Sequence, residues 1–178
     1  MRPIIILVFL LFLSPLAAQE EGAYRTKDIQ IGFVIDTRFG AVKGKFANNS
    51  LQIINYVKGI ATITVDISSI ATGIKFRDDH LKGEDFFNVE KYPRAVFQLK
   101  TLAAAEEGKF KASGSLTIKG ITKDYDFIII KTFSDKVESY SGSIYINRSD
   151  FKIDFNSSVN KIDESVQIDF KVALEQIK

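Results

Sequence analysis

The chain has 178 residues, 46% of them hydrophobic and 26% charged, which suits one globular domain with a sizeable core and excludes a disordered chain. Lys and Arg number 24 against 22 Asp and Glu with no basic run, so the charge footprint of a nucleic-acid binder is missing and no nucleic-acid partner is expected. Zero Cys and a single His remove disulfides, thiolate nucleophiles, Cys-ligated zinc, iron–sulfur clusters and any multi-histidine metal site, so neither a cofactor nor a metal centre is expected.

The N-terminus reads as an address label. Met1-Arg2-Pro3 precedes ten apolar residues, Ile4 to Leu13, and then Ser14-Pro15-Leu16-Ala17-Ala18. A charged start, an apolar run and a small-residue end describe a secretory signal peptide over residues 1–18, with a mature domain over 19–178. The run is about half of the roughly 20 residues that a membrane span needs. An uncleaved anchor is the alternative. The mature protein is expected to be periplasmic or secreted and not to span a membrane.

From Ile29 onward, alternation with period two dominates, which puts successive side chains on opposite faces of a strand. Strands are expected at Ile29 to Thr37, Ala41 to Ala47, Leu51 to Tyr56 and Ala61 to Ile67. A segment from about residue 74 to 93 is too polar and irregular for a strand and reads as a short helix with a loop. Strands resume at Arg94 to Leu102, Phe110 to Ile118, Asp124 to Thr132, Val137 to Asn147, with a further short one at Phe151 to Phe155, and end at Val166 to Leu174. In the last, Val166, Ile168, Phe170, Val172 and Leu174 share one face while Gln167, Asp169 and Lys171 take the other. Turn formers lie between the runs at Gly40, Asn48-Asn49-Ser50, Lys58-Gly59, Glu107-Gly108, Lys119-Gly120 and Ser134-Asp135.

A sheet with one apolar face and almost no helix to cover it must cover itself. The expectation is an all-β, antiparallel, up-and-down barrel of about eight strands with a lipocalin-like shape. Such a barrel is either filled by side chains or hollow enough for one ligand. Gly114 beside Ala112, and Gly142 in register with Ile144 and Ile146, would leave volume inside if they face inward, or would simply taper the barrel; both readings stay open.

Ser69-Ile70-Ala71-Thr72-Gly73, Arg77-Asp78-Asp79-His80-Leu81 and Asp85-Phe86-Phe87-Asn88-Val89-Glu90-Lys91-Tyr92-Pro93 form one stretch with a distinctive order of residue types. Gly114-Ser115-Leu116-Thr117-Ile118-Lys119-Gly120-Ile121-Thr122-Lys123 forms a second and Ile146-Asn147-Arg148-Ser149-Asp150-Phe151 a third, with Phe33, Gly44 and Phe46 in an opening hairpin. Together these resemble the YceI-like family, exported lipocalin-like barrels associated with polyisoprenoid and related lipid binding. Lys152 stands where that family usually has Gly, Leu99 where a Ser is common, and Asp36 where many members carry His.

The resemblance implies a non-enzymatic protein that binds, transports or sequesters an elongated lipophilic molecule, such as an isoprenoid quinone, polyprenyl or acyl lipid, inside the barrel. The residues expected to line it are Phe33, Phe46, Val65, Phe97, Leu116, Ile118, Phe127, Ile144, Ile146, Ile168 and Phe170, with Phe86 and Phe87 capping one end. A homodimer is compatible with this. A filled barrel with a structural or stress-associated role is the first alternative. A lipid hydrolase using His80 is the second, although no nucleophile-elbow pattern accompanies that His. Arg77 with Asp78 or Asp79, and Arg148 with Asp150, read as ion pairs or backbone clamps at the barrel ends.

Overall fold

The computed structural model describes residues 23–55, 58–155, 159 and 161–177. The expected signal peptide over residues 1–18 lies outside the described residues.

The alternating runs form one antiparallel sheet of ten strands: β1 (Ala23–Thr37), β2 (Gly40–Phe46), β3 (Asn49–Asn55), β4 (Ile60–Asp66), β5 (Ile70–Ala71), β6 (Arg94–Glu106), β7 (Lys109–Ile118), β8 (Ile121–Ser134), β9 (Val137–Asn147) and β10 (Ile162–Ile177). Their order across the sheet is β3-β4-β6-β7-β8-β9-β10-β1-β2-β5. Consecutive hairpins build the wall from β6 to β10, and β10 then pairs with β1 along nearly its whole length, Ala23 opposite Ile177 and Thr37 opposite Ile162. The sheet curls into a half-barrel.

The count of ten corrects the expected eight, for two local reasons. β2 runs antiparallel to β1 and β3 antiparallel to β4, so the two continue in one direction through Ala47-Asn48 while pairing with opposite edges of the sheet. At that corner the ladder breaks, and the Asn48 amide and the Ala47 amide donate to the Ser69 hydroxyl and carbonyl, at 3.0 and 3.2 Å. The two expected runs Ala41 to Ala47 and Leu51 to Tyr56 thus stay separate strands on either side of the turn formers Asn48-Asn49-Ser50, rather than one continuous strand of an eight-stranded barrel. The second reason is β5, two residues paired with Lys45 and Phe46.

The expected strand at Phe151 to Phe155 is absent. Arg148–Phe151 form a 3₁₀ turn, capped by the Asn147 side chain accepting from the Ser149 amide at 3.0 Å, and Lys152 follows in the left-handed conformation, φ 54° and ψ 44°. A left-handed residue ends an extended run. The segment expected to interrupt the sheet does so: a 3₁₀ turn at Ile67–Ser69, then β5, then the helix α1 (Lys75–Lys82) and an irregular stretch to Pro93.

Because adjacent strands alternate in direction, the connections sort to two ends. The β1–β2 turn, the α1 segment, Lys119-Gly120 and the chain from Arg148 to Phe155 lie at one end, with the entry to β10; the turns at Lys58-Gly59, Glu107-Gly108 and Asp135-Lys136 lie at the other, with the outer ends of β1 and β10. The two apolar side chains most completely removed from solvent, Phe151 at 0% and Ile67 at 2% exposed, both lie at the α1 end, with Ile118 and Ile153 packed in the same cluster. Lys119 ties that end together by donating to the carbonyls of Phe86 and Lys152 at 2.6 and 2.8 Å.

Candidate functional site

Inside the half-barrel lies a cavity of about 400 Å³. That volume falls within the roughly 300–1,000 Å³ of small-molecule pockets. Its walls come from the inward positions of the strands, so that period-two alternation determines which residues reach it. The wall includes Phe33 and Phe46 from β1 and β2, Val65 from β4, Phe97 from β6, Leu116 and Ile118 from β7, Phe127 from β8, Ile144 and Ile146 from β9, Ile168 and Phe170 from β10, and Phe86 and Phe87 from the segment after α1.

Aromatic rings organise the surface. Phe97, Phe127 and Phe170 form an edge-to-face series across three strands, with centroids 5.6 and 5.8 Å apart. Phe33, Phe46 and Phe87 form another, at 5.8 and 6.5 Å. These are the tilted and edge-on geometries that ring quadrupoles favour.

The glycines have a different role from leaving open space. A Cβ at Gly44 would sit 2.3 Å from the Phe33 ring, one at Gly114 would sit 2.4 Å from the Phe97 ring and 2.6 Å from the Gln98 carbonyl, and one at Gly142 would meet the Ile128 carbonyl at 2.6 Å and the Phe170 ring at 2.8 Å. Phe33 and Gly44, and Phe170 and Gly142, are direct cross-strand partners. Each glycine lets a ring lie down on the neighbouring strand, turning the phenyl groups from the centre of the interior toward its wall.

Polar groups reach the cavity at only a few points. At the α1 end, Arg148 is 3% exposed and is spent on backbone: Nε donates to the Asp163 carbonyl at 2.9 Å, Nη1 to Ile153 and Phe155 at 2.5 and 3.3 Å, and Nη2 to Ile162 at 3.3 Å. Its ionic partner is Glu164 at 3.5 Å, not Asp150, which faces Lys123 at 3.6 Å; the 3₁₀ turn points Arg148 inward under the β10 entry. Arg77 likewise binds Thr72, through Nε to Oγ1 at 2.8 Å and Nη2 to the carbonyl at 2.9 Å, while Asp78 accepts from the Thr72 amide and hydroxyl at 2.8 and 2.5 Å. The Thr72 hydroxyl holds the Asp78 carboxyl below its ordinary pKa. Asp79 pairs with Lys75 one turn back at 2.6 Å. Of the two expected roles for Arg77 with Asp78 or Asp79, ion pair or backbone clamp, Arg77 and Asp78 take the clamp, both bonding Thr72.

His80 also borders the cavity. Its ring stands edge-on to Phe86 and Phe155, 5.1 Å from each, and its Nε2 lies 3.6 Å from Asp85 Oδ2. Phe86 and Phe155 pack on each other at 4.8 Å, so His80 completes an aromatic cap over this end. Among the described residues no group of three or more His, Asp and Glu could hold a metal ion, and no helix is long and apolar enough to cross a membrane.

Several lining residues were legible from the same parity: Ile31 and Ile35 flank Phe33 on its face of β1, and Leu51 and Ile53 continue along β3. Arg77, His80, Arg148 and Phe155 were not, because they approach from outside the ladder, where period two does not apply. Asp36 is exposed on the outer face of β1, whereas Leu99 lines the cavity.

With this geometry in view, the comparisons with known proteins are specific. The YceI-like domain model matches residues 24–174. The chain belongs to the YceI-like family. A UPF0312 protein of Staphylococcus aureus (strain N315) is 29% identical over 150 residues, covering 78% of this chain and 83% of that protein. A UPF0312 protein of Photorhabdus laumondii is 39% identical over 69 residues, a match that spans 39% of this chain and 35% of that protein. Among solved structures, Burkholderia cenocepacia BcnA superimposes with a TM-score of 0.75 at 26% identity, covering 82% of this chain and 95% of that one. A polyisoprenoid binding domain from Saccharophagus degradans, implicated in plant cell wall breakdown, shares the fold with a TM-score of 0.72 at 19% identity, covering 88% and 99%.

Proposed function

We propose that this YceI-like protein carries or sequesters one elongated apolar lipid, an isoprenoid or acyl chain, in the cavity of the half-barrel, without chemically altering it. The observation that carries this is the continuous apolar wall around about 400 Å³, to which Ile, Leu, Val and Phe from both halves of the sheet contribute. Burying hydrocarbon there contributes about 25 cal/mol per Å² with few directional contacts, so selectivity follows chain length and shape. The polyisoprenoid-binding relative supports the same class of cargo. The edge-packed His80 and the backbone-bound arginines favour binding over hydrolysis.

We further propose export by the N-terminal segment to the periplasm or the medium. Native mass spectrometry of protein expressed from the full chain, followed by organic extraction, tests both points. A stoichiometric adduct of isoprenoid or acyl mass on a chain beginning at Gln19 is expected. Bare protein from lipid-rich cells would overturn the carrier reading, and an intact N-terminus would overturn cleavage.

A further inference from the structure

The end of the half-barrel opposite α1 holds a second polar group, different in kind from the arginine clamps. Glu138 on β9 has the same parity as Tyr140, Ile144 and Ile146, and Lys131 on β8 has the parity of Phe127 and Ile129, so both stand on the inward face, next to the lining residues Tyr140 and Ile129 although neither lines the cavity itself. Glu138 is 8% exposed. Its Oε1 accepts from Lys131 Nζ at 2.8 Å and from the Tyr24 hydroxyl at 3.5 Å, and its Oε2 accepts from the Tyr140 hydroxyl at 2.7 Å. Lys131 Nζ also lies 5.4 Å from the centroid of the Tyr140 ring, and Tyr140 itself lines the cavity. Lys131 and Tyr140 face each other directly across the β8–β9 ladder.

The Glu138 carboxylate is buried, whereas the Lys131 side chain keeps 29% of its surface exposed, so the pair sits at the rim of the apolar interior. Arg148 and Arg77 give their donors to backbone carbonyls and to Thr72 of their own end, so that end offers an incoming head group little. Lys131 differs. Its ammonium has three donors, and its partners, Glu138 and Tyr140, are side chains of the neighbouring strand. Glu138 balances its charge, so the pair presents a hydrogen-bond donor without net positive potential. An anionic head group would gain from Lys131 and lose against Glu138, whereas an uncharged oxygen keeps the hydrogen bond without the repulsion.

We propose that Lys131, with Glu138 and Tyr140, forms a head-group subsite for a lipid whose polar end is an uncharged oxygen acceptor, a hydroxyl or a carbonyl, and thereby fixes the lipid's direction in the barrel, tail toward Phe86 and Phe155. This rests on the carrier reading and narrows it from any apolar chain to chains bearing one neutral polar end.

The test is displacement of diphenylhexatriene, an apolar fluorophore without a head group, by hexadecane, 1-hexadecanol and palmitate, with wild type, Lys131→Met and the charge-removing pair Lys131→Met/Glu138→Gln, which covers the case in which an unpaired Glu138 prevents folding of the single variant. One hydrogen bond predicts that the alcohol competes about three- to tenfold better than the alkane on wild type. The ratio falls to about one in the variants, and palmitate does not outcompete the alcohol. A fluorophore that binds while alcohol and alkane compete equally, or a ratio unchanged in both variants, overturns the subsite alone. Palmitate outcompeting the alcohol on wild type overturns the neutral head group. Failure of the fluorophore and of every competitor to bind overturns the carrier reading and the subsite with it.

Discussion

The two ends of this half-barrel use the same kinds of residue for opposite purposes. At the α1 end, Arg148, Arg77 and Lys119 spend their donors on carbonyls and on Thr72, fastening irregular segments that have no ladder of their own. At the opposite end the connections are tight turns that need no fastening, and the inward charges, Lys131 and Glu138, hold each other and two tyrosines. The contrast teaches that the role of a buried charge is set by whether nearby backbone already has partners. Where the chain leaves the sheet, its carbonyls consume cations; where hairpins satisfy the backbone, an inward cation remains available to something else.

The largest effect that would break this contrast is at Arg148. Replacing it with Met leaves the carbonyls of Ile153, Phe155, Ile162 and Asp163 without their donor in a site that is 3% exposed. A loss of about 3–5 kcal/mol is expected, as for other interrupted buried charge networks, measured from the shift in urea unfolding at constant m-value. A loss under about 1 kcal/mol would mean that water replaces the guanidinium and that the clamp is not what holds Ile153 and Phe155 against the start of β10.

Lys131 and Glu138 should behave differently. In a double-mutant cycle, Lys131→Met and Glu138→Gln together should cost less than the sum of the singles, by about 1–3 kcal/mol, because each single change strands the other group. Arg148 has no such single partner, since Glu164 is largely exposed and lies 3.5 Å away. Burial opposes protonation of Lys131, but its hydrogen bonds to Glu138 and Tyr140 and their charges outweigh it, and its pKa is raised. Additive single-substitution effects would show that the pair is not coupled and would erase the difference between the two ends.

How much of this was legible in the sequence depends on where each residue sits relative to the ladder. On strands, parity alone placed Phe97, Leu116, Phe127, Ile168 and Phe170 on the cavity wall, because a pleated strand allows only two directions. The glycines were legible as inward but not in their effect: Gly114 and Gly142 admit rings from the neighbouring strand, and which ring crosses depends on register, which one strand's pattern does not contain. The separation of β2 from β3 at Ala47-Asn48 was visible as turn formers, yet the continuation of β2 into β3 across the edges of the sheet is a three-dimensional fact. Phe155 and Arg148 reach the cavity through a 3₁₀ turn and an irregular stretch, where period two misreads Phe151 to Phe155 as a strand. Lys131 and Glu138 share the inward parity, but charge at an inward position reads more readily as the outer end of a strand.

The smallest expected effect concerns Lys152, which stands where the family usually has glycine. Its φ of 54° and ψ of 44° lie in the left-handed region, which costs a residue with a Cβ about 1–2 kcal/mol. Its backbone, not its side chain, does the visible work: the amide donates to the Ser149 carbonyl at 3.0 Å and the carbonyl accepts from Lys119 at 2.8 Å. Lys152→Gly keeps both bonds and relieves the conformational cost, while the freer unfolded chain takes back about 0.4–1 kcal/mol. A net gain of about 0.5 kcal/mol is expected, read as a higher urea midpoint. Lys136, at φ 67° in the β8–β9 turn of the opposite end, supplies the control, since its carbonyl accepts from the Gln176 amide at 3.1 Å in the same backbone-only manner. Similar gains from Lys136→Gly and Lys152→Gly would show that strain at both ends is purely local. A loss at Lys152 alone would mean that its side chain helps close the α1 end, extending the fastening role of that end beyond Arg148, Arg77 and Lys119.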